Sequence, residues 1–171
     1  MNKIDLAYLA GVLDSDGYFT IKRSTYGMRV VKDCWNPTFS EMIGLKQTCP
    51  IVVDLIHENF GGYRHVEKPS AKNGQPLHVV QLGNKKAALL AKAVLPYLRI
   101  KRRQAELLLE LRETKDHPDK TKRPARMTNN RWGPYPSHRS VNSPAIIERR
   151  SGLLAEIRSL NDTRTHHPIL L

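Results

Sequence analysis

The stretch Asp14-Ser15-Asp16-Gly17 sets two carboxylates two residues apart before a glycine, and far along the chain Lys101 sits among Arg99, Arg102 and Arg103. Carboxylate oxygens are ligands that hard cations such as Mg²⁺ accept, and a lysine ammonium is a compact point charge suited to a negative oxygen. Each group also has an ordinary explanation. An aspartate before glycine is a common helix-ending turn, and a cationic cluster can serve as a set of phosphate contacts. A calcium loop is excluded, since neither a third acidic ligand nor a closing glutamate follows Asp14 at the required offsets. Cys34 and Cys49 lack C-x-x-C spacing and nearby paired histidines, so no zinc site is expected, and His166 and His167 read as a solvated tail.

A helix must present Asp16. The pattern predicts one from Leu6 to about Asp14, with Asp5 as its N-cap and Gly17 just past its end. Leu6, Leu9, Val12 and Leu13 fall on one side, and Ala7, Ala10, Gly11 and Asp14 on the other, so both faces are expected to be buried. A face of small residues admits a second backbone at close range, which would offset the roughly 1 kcal/mol that a glycine costs inside a helix. Strand-like alternation follows over Tyr18 to Ser24, with Phe19 and Ile21 on one face and Thr20, Lys22, Ser24 and, beyond the strand, Tyr26 on the other. A second strand is expected over about Thr38 to Lys46, and Pro50 opens a helix that Gly61-Gly62 closes. A hairpin comes next, Tyr63 to Lys68 and Leu77 to Leu82. Helices then run from Asn84 to about Val94, from Ile100 to about Glu113 and from about Pro144 to Leu160. This order implies an α+β fold in which four antiparallel strands carry helices on one face and leave the other open.

The charge is lopsided. There are 28 Lys and Arg against 16 Asp and Glu, a net +12, and residues 61–171 hold 22 of the former against nine of the latter. Such a surplus needs a polyanion or a membrane surface to face. No apolar run is long enough to span a membrane, and the N-terminus lacks the cationic, apolar, small-residue order of a signal peptide. An intracellular protein without a membrane partner is therefore expected. Residues 115–143 carry four prolines and seven Lys or Arg with almost no aliphatic side chains, which reads as a basic loop or arm.

The segment Leu6-Ala7-Tyr8-Leu9-Ala10-Gly11-Val12-Leu13-Asp14-Ser15-Asp16-Gly17 resembles the signature of the LAGLIDADG homing endonucleases. Pro96-Tyr97-Leu98-Arg99-Ile100-Lys101-Arg102-Arg103-Gln104 is similar to the P-x-L-x-x-K-x-x-Q that follows the sheet in this family, and Leu160-Asn161-Asp162-Thr163-Arg164-Thr165 to the end of the last helix in its single-motif, chloroplast-type branch. The resemblance implies an αββαββα core with a saddle-like antiparallel sheet over residues 5–114, a C-terminal helix and tail over 144–171, and between them a loop without counterpart, all in one domain. It implies that Asp16 and the Ser15 carbonyl hold a divalent metal, Mg²⁺ or Mn²⁺, and that Lys101 stands in the active site. A second-strand glutamine should order water there; Lys46 and Gln47 both fit the position. One motif per chain implies a homodimer packed through Ala7, Ala10, Gly11 and Asp14, each subunit cutting one strand of double-stranded DNA.

The open sheet face is then the expected DNA reader, since a two-stranded ribbon fits a major groove about 12 Å wide. Thr20, Lys22, Ser24 and Tyr26 should point there, with either Arg64, Val66 and Lys68 or His65 and Glu67 from the hairpin, and either His78 or Gln81. Arg103 belongs to the expected phosphate contacts, as do Thr163, Arg164 and His167 by the resemblance. A cleavage-deficient DNA-binding regulator and a maturase bound to intron RNA are the rival readings. The expected compartment is an organelle or a bacterial or phage-infected cytoplasm.

Overall fold

The computed structural model describes residues 1–24, 37–69, 74–122, 126–130, 133–137 and 140–162. Helix α1 spans Lys3–Ser15 and starts earlier than expected, because Asn2 rather than Asp5 is its N-cap. The Asn2 side chain accepts from the Asp5 backbone N–H at 2.9 Å, and the Asp5 carboxylate accepts from the Asn2 N–H at 3.1 Å. Asp5 is thus the third residue of a reciprocal capping box, an arrangement that satisfies two otherwise orphaned donors.

Strands β1 (Tyr18–Ser24) and β2 (Thr38–Gln47) precede helix α2 (Pro50–Phe60), and β3 (Tyr63–Glu67) and β4 (Leu77–Gly83) follow it. Pro50 stands in the first turn of α2, and Gly61 ends it with φ 71°, a conformation costly for a side chain bearing a Cβ. The four strands form one antiparallel sheet in the order β1-β2-β4-β3. Helices α3 (Lys85–Val94), α4 (Arg102–Asp116) and α5 (Pro144–Asn161) complete the layer over one sheet face, with a 3₁₀ turn at Leu95–Tyr97 between α3 and α4. Phe19, Ile21, Phe39, Ile43, Leu45, Val80 and Leu82 point from the sheet into that layer and pack with Leu9, Leu13, Ile56, Leu90, Leu107, Leu108, Leu111 and Ile157. The α+β architecture expected from the order of elements is the one observed.

Residues 115–143 depart from the expected loop. Beyond α4, β5 (Lys120–Lys122) pairs with β8 (Ser140–Asn142), and β6 (Arg126–Asn130) pairs with β7 (Gly133–Ser137), in two separate two-stranded sheets. A two-stranded ribbon meets its hydrogen bonds without a core, so it needs no aliphatic alternation. Pro134 and Pro136 lie two apart in β7, where both N–H positions can point away from the partner strand.

The middle of β2 carries an acid that the alternation gives no reason to bury. Glu41 is fully buried on the helix side, where Lys115 Nζ donates to it at 2.6 Å and Arg112 lies 3.6 Å away. Beside it, buried Arg150 of α5 donates to the Thr114 hydroxyl and carbonyl at 2.9 and 2.7 Å. Burial pushes the Arg150 guanidinium below its ordinary value, and Glu41 partly offsets this. Removing one member of such a group leaves buried charge uncompensated. Glu41→Ala is expected to lower unfolding free energy by about 3 kcal/mol, and a urea titration showing less than about 1 kcal/mol would reduce this group to a surface-type ion pair.

Candidate active site and open sheet face

Three elements meet at the C-terminal end of α1. The last carbonyls of a helix lack intrahelical donors and carry the negative end of its dipole. Here Lys101 Nζ donates to the carbonyls of Leu13 at 3.0 Å, Ser15 at 3.2 Å and Gly17 at 2.6 Å. Asp14 holds that lysine in place, because its two oxygens accept from the backbone N–H groups of Arg99 at 2.8 Å and Lys101 at 2.9 Å. Partial burial pushes the Lys101 ammonium below the usual lysine value, while Asp14 and Asp16 pull it back up. Gly17 closes the turn: a Cβ there would lie 2.8 Å from the Leu13 carbonyl oxygen.

Asp16 is the exposed C-cap of α1, and the Gln47 side-chain amide at the end of β2 donates to its carboxylate at 2.5 Å. Of the two second-strand candidates, Gln47 therefore meets Asp16. Lys46 points to the other sheet face and pairs with Glu67 at 2.8 Å. Asp16, Ser15, Gln47 and Lys101, more than fifty residues apart at the extremes, are one cluster. Its donor set is all oxygen and already surrounds a cationic ammonium, which fits a hard divalent cation better than a soft one. No group of three or more His, Cys, Asp or Glu side chains capable of holding a metal occurs among the described residues, so a cation at Asp16 would need carbonyls, water or substrate for its remaining ligands.

The strand register assigns the open face. Because Phe19 and Ile21 face the helices, Tyr18, Thr20, Lys22 and Ser24 face away, alongside Ser40, Met42, Gly44 and Lys46 of β2. The Tyr18 ring crosses Gly44, where an added Cβ would fall 2.3 Å from it. Burial pushes the Tyr18 phenol above its ordinary value, with Lys46 and a hydrogen bond to Gln81 acting the other way. In the hairpin Val80 and Leu82 point to the core, so Gln81 is on the open face, and the β3 pairing carries Tyr63, His65 and Glu67 with it.

The opposite hairpin register is thereby corrected for Arg64 and His78. Arg64 forms an ion pair with Asp54 of α2, and His78 lies on the helix side with its Nδ1 buried. Lys68 is exposed one residue past β3. Arg103 is corrected too: Glu110 and Glu156 each bind its guanidinium at 2.7 Å, on the helical layer away from the open face. Those carboxylates raise its already high pKa. Tyr26, Thr163, Arg164 and His167 lie outside the described residues.

The small-residue face of α1 is rotated from expectation by roughly 60°. Ala10 is fully buried in the chain's own core and Asp14 is engaged with the Arg99–Lys101 backbone, so neither is a free interface residue. What remains exposed is Ile4 (80%), Ala7, Tyr8 (54%) and Gly11, a stripe at helical spacing beside a groove that includes Pro96 and Tyr97. Ile4 and Tyr8 were legible as i and i+4 neighbours of that stripe.

No family model matches the sequence, and no curated protein does. Solved structures match in three dimensions. The homing endonuclease I-CvuI, in complex with DNA, is 19% identical with a TM-score of 0.61, over 96% of this chain and 87% of that one. The archaeal intron-encoded homing endonuclease I-Vdi141I, complexed with DNA, is 13% identical with a TM-score of 0.58, over 94% and 86%. The LAGLIDADG homing endonuclease I-GzeII, with its DNA target, is 14% identical with a TM-score of 0.52, over 92% of this chain and 44% of that larger one. With one helical layer, one open antiparallel sheet and an acid at the end of the first helix, this chain has the fold of the LAGLIDADG homing endonucleases.

Proposed function

We propose that the protein is a site-specific DNA endonuclease of the homing type, which acts as a homodimer and makes a double-strand break in a long pseudo-palindromic target. The observation that carries this reading is the convergence of Asp16, Gln47 and Lys101 on the end of α1. A protein that only bound DNA would have no use for a carboxylate, an amide and an ammonium gathered at one point. The Asp16 carboxylate and the Ser15 carbonyl would hold Mg²⁺ or Mn²⁺. When bound, such a cation supplies charge neutralisation at the phosphate and an activated water.

The chain's own groups do the rest. Gln47 fixes the Asp16 carboxylate and lies where it can also orient a water. Lys101, held by Asp14, offers its ammonium to the charge that builds on the phosphate. Thr20, Lys22, Ser24, His65 and Gln81 on the open face supply contacts to base edges. Incubating the protein with a mixed DNA library and Mg²⁺, then sequencing cut ends, tests the whole reading; the absence of any cut in Mg²⁺ and in Mn²⁺ would refute it.

One Asp16 per chain serves one strand, so two chains are required, and the exposed Ile4, Ala7, Tyr8 and Gly11 stripe is the surface offered to the second copy. A Cβ at Gly11 meets nothing within 4 Å among the described residues, so a larger side chain there is expected to burden the dimer rather than the single chain. Gly11→Leu is expected to leave the single chain as stable or more so, by about 0.5–1 kcal/mol, while pushing the copies apart and abolishing cleavage. Light scattering that shows the variant still dimeric and active at micromolar concentration would remove this face from the interface.

A further inference from the structure

Among the described strand residues, the open face carries a single carboxylate, Glu67. A negative charge on a face meant for a polyanion is unfavourable unless it meets a donor. Its present partners are Lys46 Nζ, at 2.8 and 2.9 Å from its two oxygens, and His65 Nε2 at 3.4 Å, while the Tyr63 ring lies against His65 with centroids 4.9 Å apart. Both side chains of the Lys46–Glu67 pair remain over a third exposed, so the pair adds little to stability. It is nonetheless held in place. Lys46 lies opposite Val79 and Glu67 opposite Leu77, so both reach over the one strand, β4, that separates them.

We infer that Lys46 and Glu67 together read one G·C base pair in each half-site, with the ammonium on guanine O6 and N7 and the carboxylate on cytosine N4. This rests on the endonuclease reading and names a specificity element within it. Guanine O6 and cytosine N4 are hydrogen-bonded neighbours about 2.9 Å apart in the major groove, so an ammonium and a carboxylate held side by side can reach both. Lys46 Nζ and Glu67 Oε2 are held side by side at 2.8 Å. The major-groove order of acceptor, acceptor, donor across G·C is the complement of an ammonium beside a carboxylate. A T·A pair has an acceptor and a donor at the same separation, but it sets a methyl group beside the ammonium and adenine N7, an acceptor, beside the carboxylate. The hydrogen bond from Lys46 holds the Glu67 carboxyl below its ordinary value, and an ionised carboxylate only accepts. Since Lys46 adjoins Gln47, which binds Asp16, the base pair read lies at the end of the half-site nearest the cut.

The test uses the target recovered from the cleavage library and duplex oligonucleotides that carry every single-base change, with binding measured by fluorescence anisotropy at fixed salt. Wild type should prefer G·C by tenfold or more at one base pair near the cut. Glu67→Gln and Lys46→Met should each flatten the preference at that same base pair and leave the others intact, and the double exchange Lys46→Glu with Glu67→Lys should favour C·G there. If the two variants flatten different base pairs, flatten none, or change affinity equally for all sequences, the inference is overturned while the endonuclease reading stands. A wild-type protein with no sequence preference overturns both.

Discussion

Asp16→Asn is expected to abolish DNA cleavage while leaving specific binding within about tenfold. The substitution keeps the shape of the side chain and removes the charge that a divalent cation requires. On the proposed reading, binding is carried by the open face of the sheet, which Asp16 does not line, so it has no reason to fail. The fold should also survive, because Asp16 is exposed and its capping bonds to Leu13 and Val12 come from its backbone N–H. The Gln47 amide would face another amide and can rotate to satisfy it. Cleavage of a plasmid bearing the recovered target, followed against Mg²⁺ concentration, decides the matter. Undiminished cutting by the variant would sink the metal assignment, and wild-type cutting in excess EDTA would do so independently.

The second large effect belongs to Lys101→Met. If its ammonium stabilises charge in the transition state, the cleavage rate of the bound complex should fall by about 2–4 kcal/mol, roughly thirty- to a thousand-fold. Affinity for the target should change little. The structure adds a complication, since the same ammonium satisfies three carbonyls at the end of α1. Some stability must be lost with it, on the order of 1 kcal/mol because the side chain is partly exposed to water. Single-turnover cleavage well below the melting temperature separates the two contributions. The wild-type rate should also decline at alkaline pH before the ordinary lysine value of 10.5 is reached, because burial lowers the Lys101 pKa and the proton is lost earlier. A variant that cuts at the wild-type rate would leave Lys101 a structural cap of α1 and nothing more.

Local pattern was enough for the elements. Strand β1 was legible to the residue because Phe19 and Ile21 alternate with polar neighbours, and α2 because Pro50 and Gly61-Gly62 punctuate it. The motif at the end of α1 and the lysine beyond Pro96 were legible as a resemblance, and the structure brings both to one place. Helix α1 starts at Lys3 rather than Leu6, and the signal for this lies in the sequence, since Asn2 and Asp5 together spell a reciprocal cap.

Questions of facing needed the assembled chain. Tyr63 to Lys68 has no aliphatic alternation, so its parity became defined only when β3 paired with β4, whose Val80 and Leu82 must reach the core. Lys46 and Gln47 are adjacent, and a strand sends neighbours to opposite faces; only the position of the sheet relative to α1 decides which of them meets Asp16. Arg103 and Glu41 are charged residues whose types suggest free, solvated side chains, yet partners more than forty residues away pair the exposed one and bury the other on the helical side. The sequence by itself determined the elements, their order and the chemical groups available, because those depend on short-range steric and hydrophobic periodicity. Tertiary structure alone decided which charges were neutralised internally and which stayed exposed on the open sheet face, because ion pairing depends on distances that only packing sets.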